Sequence, residues 1–460
     1  MHATDLEEGN RCYMAGDLAG ARVAYEAGAS AGSIDCRVNL ASVCLDSGDE
    51  GRAETLYREA LAQAVDAEGF EAFHVDAAQN LAGVLQARGG YESTREASML
   101  LRDVVRADPE RWDAWANLGS ALADAGAPKI DAIKCFQRGI TRAEAVERDE
   151  DTSVELMNGI RSSLGEVYFG LGQCLADLDA PQRLEAYQDG EILLTSRDET
   201  VNLYDGTQDD ADAAIAETAA NALRAALELK NGDFPLAQNA LDVLSSRQGA
   251  SAPDRASPAF VRALFDDFAP TFDDQLQNVL QYKAPAIIAA ACAKRGPYAT
   301  AFDAGCGTGL LGPPLRSSVT RLVGADLSQN MVDKASELGC YDSLVVGDLL
   351  DAALYDDLGL PTRYQLIVAA DVLCYFGDLK AILTTWHSAL DVGGDCVFSC
   401  ERVPGDMWVL GASGRYAHAV DYVRATAEGA GFAVVAAEDI VPRVENGNDV
   451  LGTLYVLSKS

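Results

Sequence analysis

Two hydrophobic patterns divide the chain. Residues 1 to 244 show almost no strand pattern, are rich in Ala and Leu, and repeat themselves at a period close to the ~34 residues of a two-helix repeat. Small residues recur where two helices would approach each other, and Tyr25, Tyr57 and Phe136 are spaced so that each would fill the gap beside them. The pattern predicts an all-α array of helix pairs, and an unrelated helical bundle is the alternative.

The spacing within these repeats is similar to the tetratricopeptide (TPR) consensus. Trp115, Leu118 and Gly119 take the positions of its tryptophan, leucine and glycine, and Asn-Leu-Ala recurs at residues 39–41 and 80–82. Weaker units lie near Gly165 and Asn221. Residues 1–244 therefore resemble a TPR-type helical repeat domain, and the resemblance implies a groove that binds a protein partner.

The second half of the chain has a different order of elements. From Ala299 onward, short apolar stretches alternate with helical segments, which predicts a doubly wound parallel sheet. A helix over His418–Gly429 then leads into two strands around the Asn-Gly turn at residues 446–448, which predicts a terminal antiparallel strand beside the parallel sheet. Residues 245–258, SSRQGASAPDRASP, are polar and rich in Ser, Ala and Pro, and predict a linker between the halves.

A glycine loop marks the start of the second half. Residues 303–309 read Asp-Ala-Gly-Cys-Gly-Thr-Gly and lie between the first strand and the start of a helix, where glycines let the backbone approach a ligand. Residues 307–312 also satisfy the dinucleotide fingerprint, so the spacing alone leaves the cofactor open. Asp303, at the mouth of the loop, would repel a pyrophosphate and attract an ammonium such as that of S-adenosylmethionine.

Acids also end the strands that follow. Asp326 ends the second strand and is suited to accept hydrogen bonds from both ribose hydroxyls, while Asp348 ends the third and can accept from the adenine amino group. Asp371 ends the fourth strand and should border the transferred methyl group. Because parallel strands bring their carboxyl ends to one edge, we expect these acids to line one site.

The loop and the terminal antiparallel strand together resemble the class I S-adenosylmethionine-dependent methyltransferases. Residues 264–273 and 280–285 are similar to the helical N-terminal lid of the subgroup fused to TPR repeats, and residues 413–418 with Arg443 are similar to its C-terminal signature. The resemblance covers residues 255–460 and implies a Rossmann-like α/β methyltransferase domain at 259–460, with its lid at 259–295. The cofactor-binding residues that it implies are Asp303, Gly305, Cys306, Gly307, Gly309, Asp326, Leu327, Asp348, Leu349, Asp371 and Tyr282.

The segment after the fifth strand supplies candidates for catalysis. His418 is the candidate general base, because an ordinary pKa near ~6.5 suits proton removal at neutral pH, and a histidine that merely packs or caps a helix is the alternative. Asp371 is the second catalytic candidate, and Phe272, Arg415 and Tyr416 are expected beside the substrate. The fourth strand is not followed by Asn-Pro-Pro-Tyr or Asp-Pro-Pro-Tyr. That argues against methylation of a base amine or a glutamine amide and leaves small-molecule oxygen or nitrogen, or a protein side chain, open.

The net charge and the cysteine pattern limit the partners and the compartment that we expect. The chain has 36 Lys and Arg against 71 Asp and Glu, a formal net charge of −35, which argues against a bare nucleic acid as partner. Its 11 cysteines are scattered along the chain. This pattern is typical of reduced thiols in a cytoplasmic protein, and it predicts neither a disulfide framework nor a metal site. The first eight residues are acidic and lack an apolar core, and the uncharged run at 284–293 is far shorter than the ~18 residues of a membrane span. Neither a signal peptide nor a membrane segment is predicted.

The leading hypothesis is an S-adenosylmethionine-dependent methyltransferase whose repeat array recruits a protein partner or substrate. The alternative is an interaction scaffold in which the cofactor fold is regulatory or vestigial.

Overall fold

The computed structural model describes residues 2–64, 72–148, 152–188, 194–196, 199–201, 208–270, 272–274, 276, 280–351, 354, 363–445 and 447–460. The chain divides into two compact units, Met1–Asp233 and Phe234–Ser460. This division falls ahead of the linker predicted at 245–258, so the helix Pro235–Arg247 belongs to the second unit.

The first unit is helical, as its repeat pattern predicted. Its helices are α1 His2–Met14, α2 Leu18–Ser30, α3 Ile34–Asp46, α4 Glu50–Ala64, α5 Ala72–Arg88, α6 Tyr91–Ala107, α7 Trp112–Asp124, α8 Lys129–Glu147, α9 Val154–Ala176, α10 Ala180–Gln188 and α11 Gln208–Leu229. Polar caps set several starts, since the side chains of Asp17, Ser33 and Ser153 accept hydrogen bonds from the first turns of α2, α3 and α9. A short antiparallel pair of strands, Leu194–Ser196 and Glu199–Val201, is the departure from the all-α expectation.

Small residues set the distance between paired helices. Each helix from α1 to α8 contacts the helix that follows it, and α1, α3, α5 and α7 each contact the next odd-numbered helix as well. Gly119 on α7 faces the buried ring of Phe136 on α8, so closely that a Cβ added at Gly119 would lie 2.8 Å from the ring. Tyr25 and Tyr57 are buried at the equivalent places, 2% and 0% exposed. The small-plus-aromatic pattern in the sequence therefore corresponds to close contacts between helices.

We predict opposite effects of the same substitution at two helical glycines of the first unit. A Cβ at Gly83 on α5 meets nothing within 4 Å, so Gly83→Ala should raise the free energy of unfolding by up to ~1 kcal/mol through helix propensity alone. Gly119→Ala gains the same propensity but forces Phe136 to move, and overpacking of this kind costs ~1–3 kcal/mol, so the variant should be less stable than Gly83→Ala. Urea unfolding followed by circular dichroism measures both. Equal stabilisation by the two variants would show that α7 and α8 are not in close contact.

The second unit is built on a seven-stranded sheet. Its strands are β1 Tyr298–Ala304, β2 Val319–Asp326, β3 Ser343–Val346, β4 Tyr364–Ala369, β5 Leu390–Glu401, β6 Phe432–Ile440 and β7 Gly452–Lys459. They lie in the order β6-β7-β5-β4-β1-β2-β3. The pairs β1–β2, β1–β4, β2–β3 and β4–β5 are parallel, whereas β7 is antiparallel to both β5 and β6. The mostly parallel sheet with an antiparallel terminal strand was predicted, and β7 lies inside the sheet because it inserts between β5 and β6.

Helices cover both faces of this sheet. They are α12 Pro235–Arg247, α13 Pro258–Phe268, α14 Phe272–Asp274, α15 Ala284–Ala293, α16 Gly312–Leu315, α17 Gln329–Glu337, α18 Lys380–Ala389 and α19 Val420–Gly429. Neighbouring residues of β4 belong to different cores, Leu366 and Val368 to one and Ile367 and Ala369 to the other, as the two-residue period of a strand requires. Both faces are thus apolar, which explains the nearly continuous hydrophobic runs of these strands.

The predicted lid, residues 259–295, contains two kinds of element. Its last helix, α15, packs on the sheet, where Ile288 and Cys292 are fully buried. Of the described lid residues, α13, α14, Leu276, Leu280 and Tyr282 lie at the functional site, and residues 271, 275 and 277–279 lie outside the described part of the chain. The bounds of the lid stay a prediction.

The predicted linker is ordered by contacts with the second unit. Residues 247–251 are exposed, but the backbone N–H of Ala256 donates to Tyr375 O at 2.9 Å, and those of Gly377 and Asp378 donate to Asp254 O at 2.7 and 2.9 Å. Ala256 is only 5% exposed. Its polar composition does not make the segment a free tether, because its backbone supplies the hydrogen bonds. We call residues 253–257 the strap.

The C-terminal segment differs from its prediction at one point. The helix predicted over His418–Gly429 begins at Val420, and residues 416–418 form a short strand that pairs with Trp408–Leu410. The predicted hairpin is present between β6 and β7. Val444–Glu445 pairs with Asn448–Asp449 around its tip, and Asn446 lies outside the described residues.

Candidate functional site

The glycine loop is the centre of a cavity in the second unit. Gly305 has φ +71° and Gly307 has φ +54°, and the N–H groups of Gly305 and Cys306 donate to Ala325 O at 2.8 and 2.9 Å. A Cβ at Gly305 would lie 2.5 Å from a methyl group of Val372, so only glycine fits there. Gly305 and Gly307 line the cavity.

Two other residues of the predicted loop pack against neighbouring residues inside the domain. Cys306 is 7% exposed, and a Cβ at Gly309 would meet Leu338 at 2.9 Å. Among the described residues that line the cavity, neither occurs.

Asp326 closes the loop from β2. Its Oδ2 accepts from the N–H of Gly307 at 2.9 Å and its Oδ1 accepts from the N–H of Ser328 at 2.9 Å. Burial raises the pKa of Asp326, and these two backbone donors act in the opposite direction. Asp326 and Leu327 both line the cavity, where the sequence placed them.

Asp303 does not have the position that its charge suggested. It is 1% exposed, is absent from the described residues that line the cavity, and accepts a hydrogen bond from the Tyr341 hydroxyl at 2.7 Å. Burial raises the pKa of Asp303 to about 7, although Tyr341 lowers it. The Tyr341 ring in turn packs where a Cβ at Gly312 or Gly324 would come within 2.8 or 3.0 Å of it. Asp303 therefore supports the loop through Tyr341 and is not placed to attract a ligand's ammonium directly.

Asp348 is held by a residue that the sequence analysis missed. Arg255, in the strap, donates from Nη1 and Nη2 to the two oxygens of Asp348 at 3.2 and 2.8 Å, and its guanidinium lies 5.3 Å from the centre of the Phe376 ring. Burial favours the neutral acid, but the Arg255 hydrogen bonds outweigh it and the pKa of Asp348 is lowered. Asp348, Leu349, Arg255 and Phe376 all line the cavity. Arg255 was missed because the composition around it indicated a linker.

Asp371 is the third acid of the cavity and belongs to an ion cluster. It has φ +54°, rare for a non-glycine residue, and its Oδ1 accepts from the Ser399 hydroxyl at 2.9 Å. Its Oδ2 accepts from Nη1 of Arg443 at 2.6 Å, and Arg443 is 2% exposed. Such a backbone conformation persists only where the surroundings over-determine it, and Ser399 and Arg443 do so here.

Arg443 links Asp371 to two further acids. Its Nη2 donates to Glu401, its Nε donates to Glu445 at 2.8 Å, and Glu445 also accepts from Nη1 of Arg415 at 2.6 Å. Burial disfavours a charged Arg443, but Asp371 and Glu401 outweigh that effect and its pKa is raised. Arg415 and Arg443 line the cavity. We call Asp371, Glu401, Glu445, Arg415 and Arg443 the ion cluster.

Aromatic residues form the opposite wall. Phe265 meets Phe272 and Tyr375 edge-to-face at centroid distances of 6.0 and 5.5 Å, and Phe268 meets Phe272 at 5.3 Å. Tyr282 also lines the cavity, and burial raises the pKa of its phenol well above the ordinary range. Phe272 and Tyr282 thus lie at the site as predicted, and their roles there stay predictions.

Two acids of the lid tie it to the site. The Ser328 hydroxyl donates to Asp266 at 2.6 Å, and the Thr308 hydroxyl donates to Asp273 at 2.5 Å. The first bond anchors α13 beside the loop after β2, and the second anchors α14 on the glycine loop.

His418 and Tyr416 lie outside the cavity, which corrects their predicted roles. His418 is 1% exposed, and its Nε2 is 2.8 Å from Phe376 O. Tyr416 is also 1% exposed, and its hydroxyl donates to Pro253 O at 2.8 Å. On a helix these side chains would point in different directions, but on the strand 416–418 they share one side, and both face the interior. Arg415, just ahead of the strand, is the residue of this segment that reaches the cavity.

Two further searches of the described residues bear on the chemistry. No group of three or more His, Cys, Asp or Glu side chains there is arranged to hold a metal ion. None of the helices described is long and apolar enough to cross a membrane.

Comparison with known proteins agrees with this geometry. Residues 302–396, from β1 into β5, match a family model described as a methyltransferase domain. No curated protein matches the chain. The matched segment contains the glycine loop, Asp326, Asp348 and Asp371, so the chain carries a methyltransferase domain and is a methyltransferase.

Several solved structures are similar to part of the chain. A S-adenosylmethionine-dependent methyltransferase from Clostridium acetobutylicum is 17% identical over 43% of this chain and 99% of its own, with a TM-score of 0.33. The N-methyltransferase NodS from Bradyrhizobium japonicum, in complex with S-adenosyl-L-homocysteine, is 16% identical over 43% of this chain and 98% of its own, with a TM-score of 0.35. Magnesium protoporphyrin IX methyltransferase from Synechocystis, with bound S-adenosylmethionine, is 20% identical over 46% of this chain and 100% of its own, with a TM-score of 0.33.

We predict that His418 acts on stability and not on turnover. Burial lowers the pKa of His418 to about 4, below its ordinary 6.5, so the folded state binds fewer protons than the unfolded state between these values. Stability from this residue is therefore complete above pH 6.5 and is lost as the pH falls towards 4. His418→Ala should lower the melting temperature at neutral pH, flatten this acid dependence, and leave turnover per folded molecule unchanged. An unchanged melting temperature with turnover that is lost at neutral pH and recovers at high pH would restore His418 as the base.

Proposed function

We propose that the chain is a class I methyltransferase that uses S-adenosylmethionine, and that its helical array is a TPR domain that recruits a protein partner or substrate. The observation that carries the cofactor assignment is the meeting of the glycine loop with Asp326, Asp348 and Asp371 at one cavity. These acids come from the ends of three strands, β2, β3 and β4, so the sheet itself brings them together.

The residues of the cavity fit this cofactor part by part. Asp326 keeps free lone pairs beside its two backbone donors and would accept from the ribose hydroxyls, while Asp348 with Leu349 would border the adenine. Tyr282, Asp371 and the loop at Gly305 and Gly307 would border the methionine end. The bound cofactor would supply a methyl group already activated on a sulfonium, so the protein's task is to position the acceptor and exclude water.

A dinucleotide fits the same loop poorly. Pyrophosphate is usually bound by N–H groups in the first turn of the helix after such a loop. Here that helix, α16, spans only Gly312–Leu315, and Pro313 and Pro314 remove two of the donors. The carboxylates at the cavity add repulsion between like charges.

The packing of the first unit supports the TPR proposal. Stacking of odd-numbered helices along the array, with small residues opposite buried aromatics, is the arrangement expected of repeated helix pairs. A cleft between α3, α4, α5 and α7 is lined by polar groups that include Gln79, Asn80 and Asn117. These groups suit hydrogen bonding to an extended peptide, and the net charge of the chain disfavours a nucleic acid.

Calorimetric titration with S-adenosylmethionine, S-adenosylhomocysteine and NAD tests the cofactor assignment. We expect both S-adenosyl compounds to bind and NAD to bind more weakly. Asp326→Ala removes a charged acceptor worth ~1.5–3 kcal/mol, so it should weaken S-adenosylmethionine binding about ten- to a hundredfold. Asp406→Ala, an exposed acid of the same unit, is the matched control and should have no effect. A chain that binds neither S-adenosyl compound would be an interaction scaffold.

We further predict that Arg255 contributes to cofactor binding through Asp348. Arg255→Lys keeps the charge but loses the two-pronged contact, so it should weaken S-adenosylmethionine binding, and Arg255→Gln should weaken it more. If Arg255 acts through Asp348, the double variant with Asp348→Asn should bind no worse than Asp348→Asn alone. Tighter binding by Arg255→Gln would show the opposite, namely that Arg255 competes with the adenine for Asp348.

A further inference from the structure

We propose that the methyl acceptor is an apolar amine, which reacts as the neutral amine and leaves as a methylated ammonium. The proposal rests on the assignment of the cavity to S-adenosylmethionine and adds the class of acceptor. Three features of the cavity carry it, namely the charge of the ion cluster, the prior engagement of its two guanidinium groups, and the position of every proton acceptor.

The ion cluster has one more acid than base. Asp371, Glu401 and Glu445 face Arg415 and Arg443, which leaves the cluster with a formal charge of −1. Asp371, Arg415 and Arg443 line the cavity itself, and the two glutamates bond to these arginines. Hydrogen bonds from Arg443 lower the pKa of Glu445 against the opposing effect of burial, so this acid is ionised at neutral pH. A positive charge near the transferred methyl group is therefore favoured, and a second negative charge is disfavoured.

Both arginines are already paired with acids, Arg443 through all three of its nitrogens and Arg415 through Nη1. Arg443 donates from Nη1, Nη2 and Nε to Asp371, Glu401 and Glu445 in turn. Arg415 donates to Glu445 at 2.6 Å and lies 3.7 Å from Glu401. A carboxylate acceptor would have to displace one of these partners and leave a buried acid unpaired, so the geometry selects against it.

The rest of the wall suits an apolar body. Phe265, Phe268, Phe272 and Tyr375 form a continuous edge-to-face group, and Leu276 and Val372 extend it. An acceptor with an aromatic or branched aliphatic body would bury that surface against these rings.

The described cavity residues offer no imidazole to take a proton during transfer, and the Asp371 carboxylate already accepts two hydrogen bonds. Both oxygens of Asp371 are engaged by Ser399 and Arg443, and His418 lies elsewhere. Burial raises the pKa of the Tyr282 and Tyr375 phenols, so these remain protonated. Methylation of a hydroxyl needs such an acceptor, because the hydroxyl proton must leave as the oxygen–carbon bond forms.

An amine needs no base in this step. Its lone pair forms the nitrogen–carbon bond, the carbon–sulfur bond breaks, and that electron pair stays on sulfur as a neutral thioether. The positive charge moves from sulfur to nitrogen, beside the surplus acid of the ion cluster, and the nitrogen keeps its proton until the product reaches water. Atoms and charge balance without a further reactant.

Two matched sets of three acceptors test the proposal on the full chain. The first is 2-phenylethylamine, 2-phenylethanol and phenylacetate, and the second is octylamine, octanol and octanoate. Mass spectrometry of S-adenosylhomocysteine and of the methylated product gives kcat/KM for each. We expect kcat/KM for each amine to exceed that for the alcohol and the acid of the same body by about tenfold or more. It should also rise with pH as the neutral amine becomes the major form. Preference for an alcohol or an acid, or no methylation of either amine by protein that binds S-adenosylmethionine, would overturn the proposal. Failure to bind S-adenosylmethionine would instead overturn the assignment beneath it.

A pair of isosteric variants tests the role of the ion cluster. Glu445→Gln keeps an oxygen for Arg415 and Arg443 but removes the surplus charge, so kcat/KM for amines should fall about tenfold with cofactor affinity retained. Glu438→Gln, an exposed acid of β6, makes the same change away from the cavity and should behave as the native chain does. Equal kcat/KM for amines in native protein and a folded Glu445→Gln variant would show that the surplus charge does not act on the reaction. If Glu445→Gln does not fold, the comparison of amine, alcohol and acid on the native chain decides.

Discussion

The buried guanidinium of Arg443 is the interaction on which the site depends. Asp371 follows β4, Glu401 ends β5 and Glu445 lies in the hairpin between β6 and β7, so three separate segments bring carboxylates to one place. Three partly buried acids without a partner would repel each other. Arg443, 2% exposed, bonds to all three and fixes the positions of strands that are distant in sequence. Removal of one partner from such a group costs far more stability than the intact group contributes.

The strap likewise joins segments that are distant in sequence, at the part of the cavity around Asp348. Its backbone bonds to the loop after β4 through Asp254 and Ala256, and its Arg255 holds Asp348 after β3. Tyr416, predicted beside the substrate, bonds to Pro253 of the strap, and His418, predicted as the base, bonds to Phe376 in that loop. A segment of the second unit that was predicted to be a linker therefore forms part of the cavity wall. In this arrangement a movement of the strap would directly alter the contact between Arg255 and Asp348.

The parts of this structure that follow from local rules were predictable from the sequence. The two-residue period of a strand and the parallel order of strands can both be recognised from short stretches of sequence. They predicted the glycine loop, the acids after successive strands and the antiparallel β7. The position of His418 depended on whether three residues, 416–418, form a strand or begin a helix, and pairing with Trp408–Leu410 decides that. The contacts of Arg255 with Asp348 and of Arg443 with Asp371 cross 93 and 72 residues of chain, which no local pattern contains. The Ser- and Pro-rich composition of 245–258 did not indicate these contacts for a related reason, since the strap is held by its backbone and by the contact of the Arg255 side chain with Asp348 far along the chain.

Burial raises the pKa of two acids at the glycine loop, Asp303 and Asp326. The folded-state pKa of Asp303, about 7, lies above the ordinary 3.8 of an aspartate, so the folded chain binds more protons than the unfolded chain between these values. The stability contributed by the protonated acid is therefore lost as the pH rises from 3.8 towards 7, the opposite of a salt-bridged acid. Asp326, 19 residues along the chain from Gly307 and bonded to it, is raised in the same direction by burial. The two acids differ in their access to a ligand, since Asp326 lines the cavity whereas Asp303 is bonded to Tyr341 and does not. A cationic cofactor would therefore favour the charged form of Asp326, and that gain would add to the stability of the folded chain.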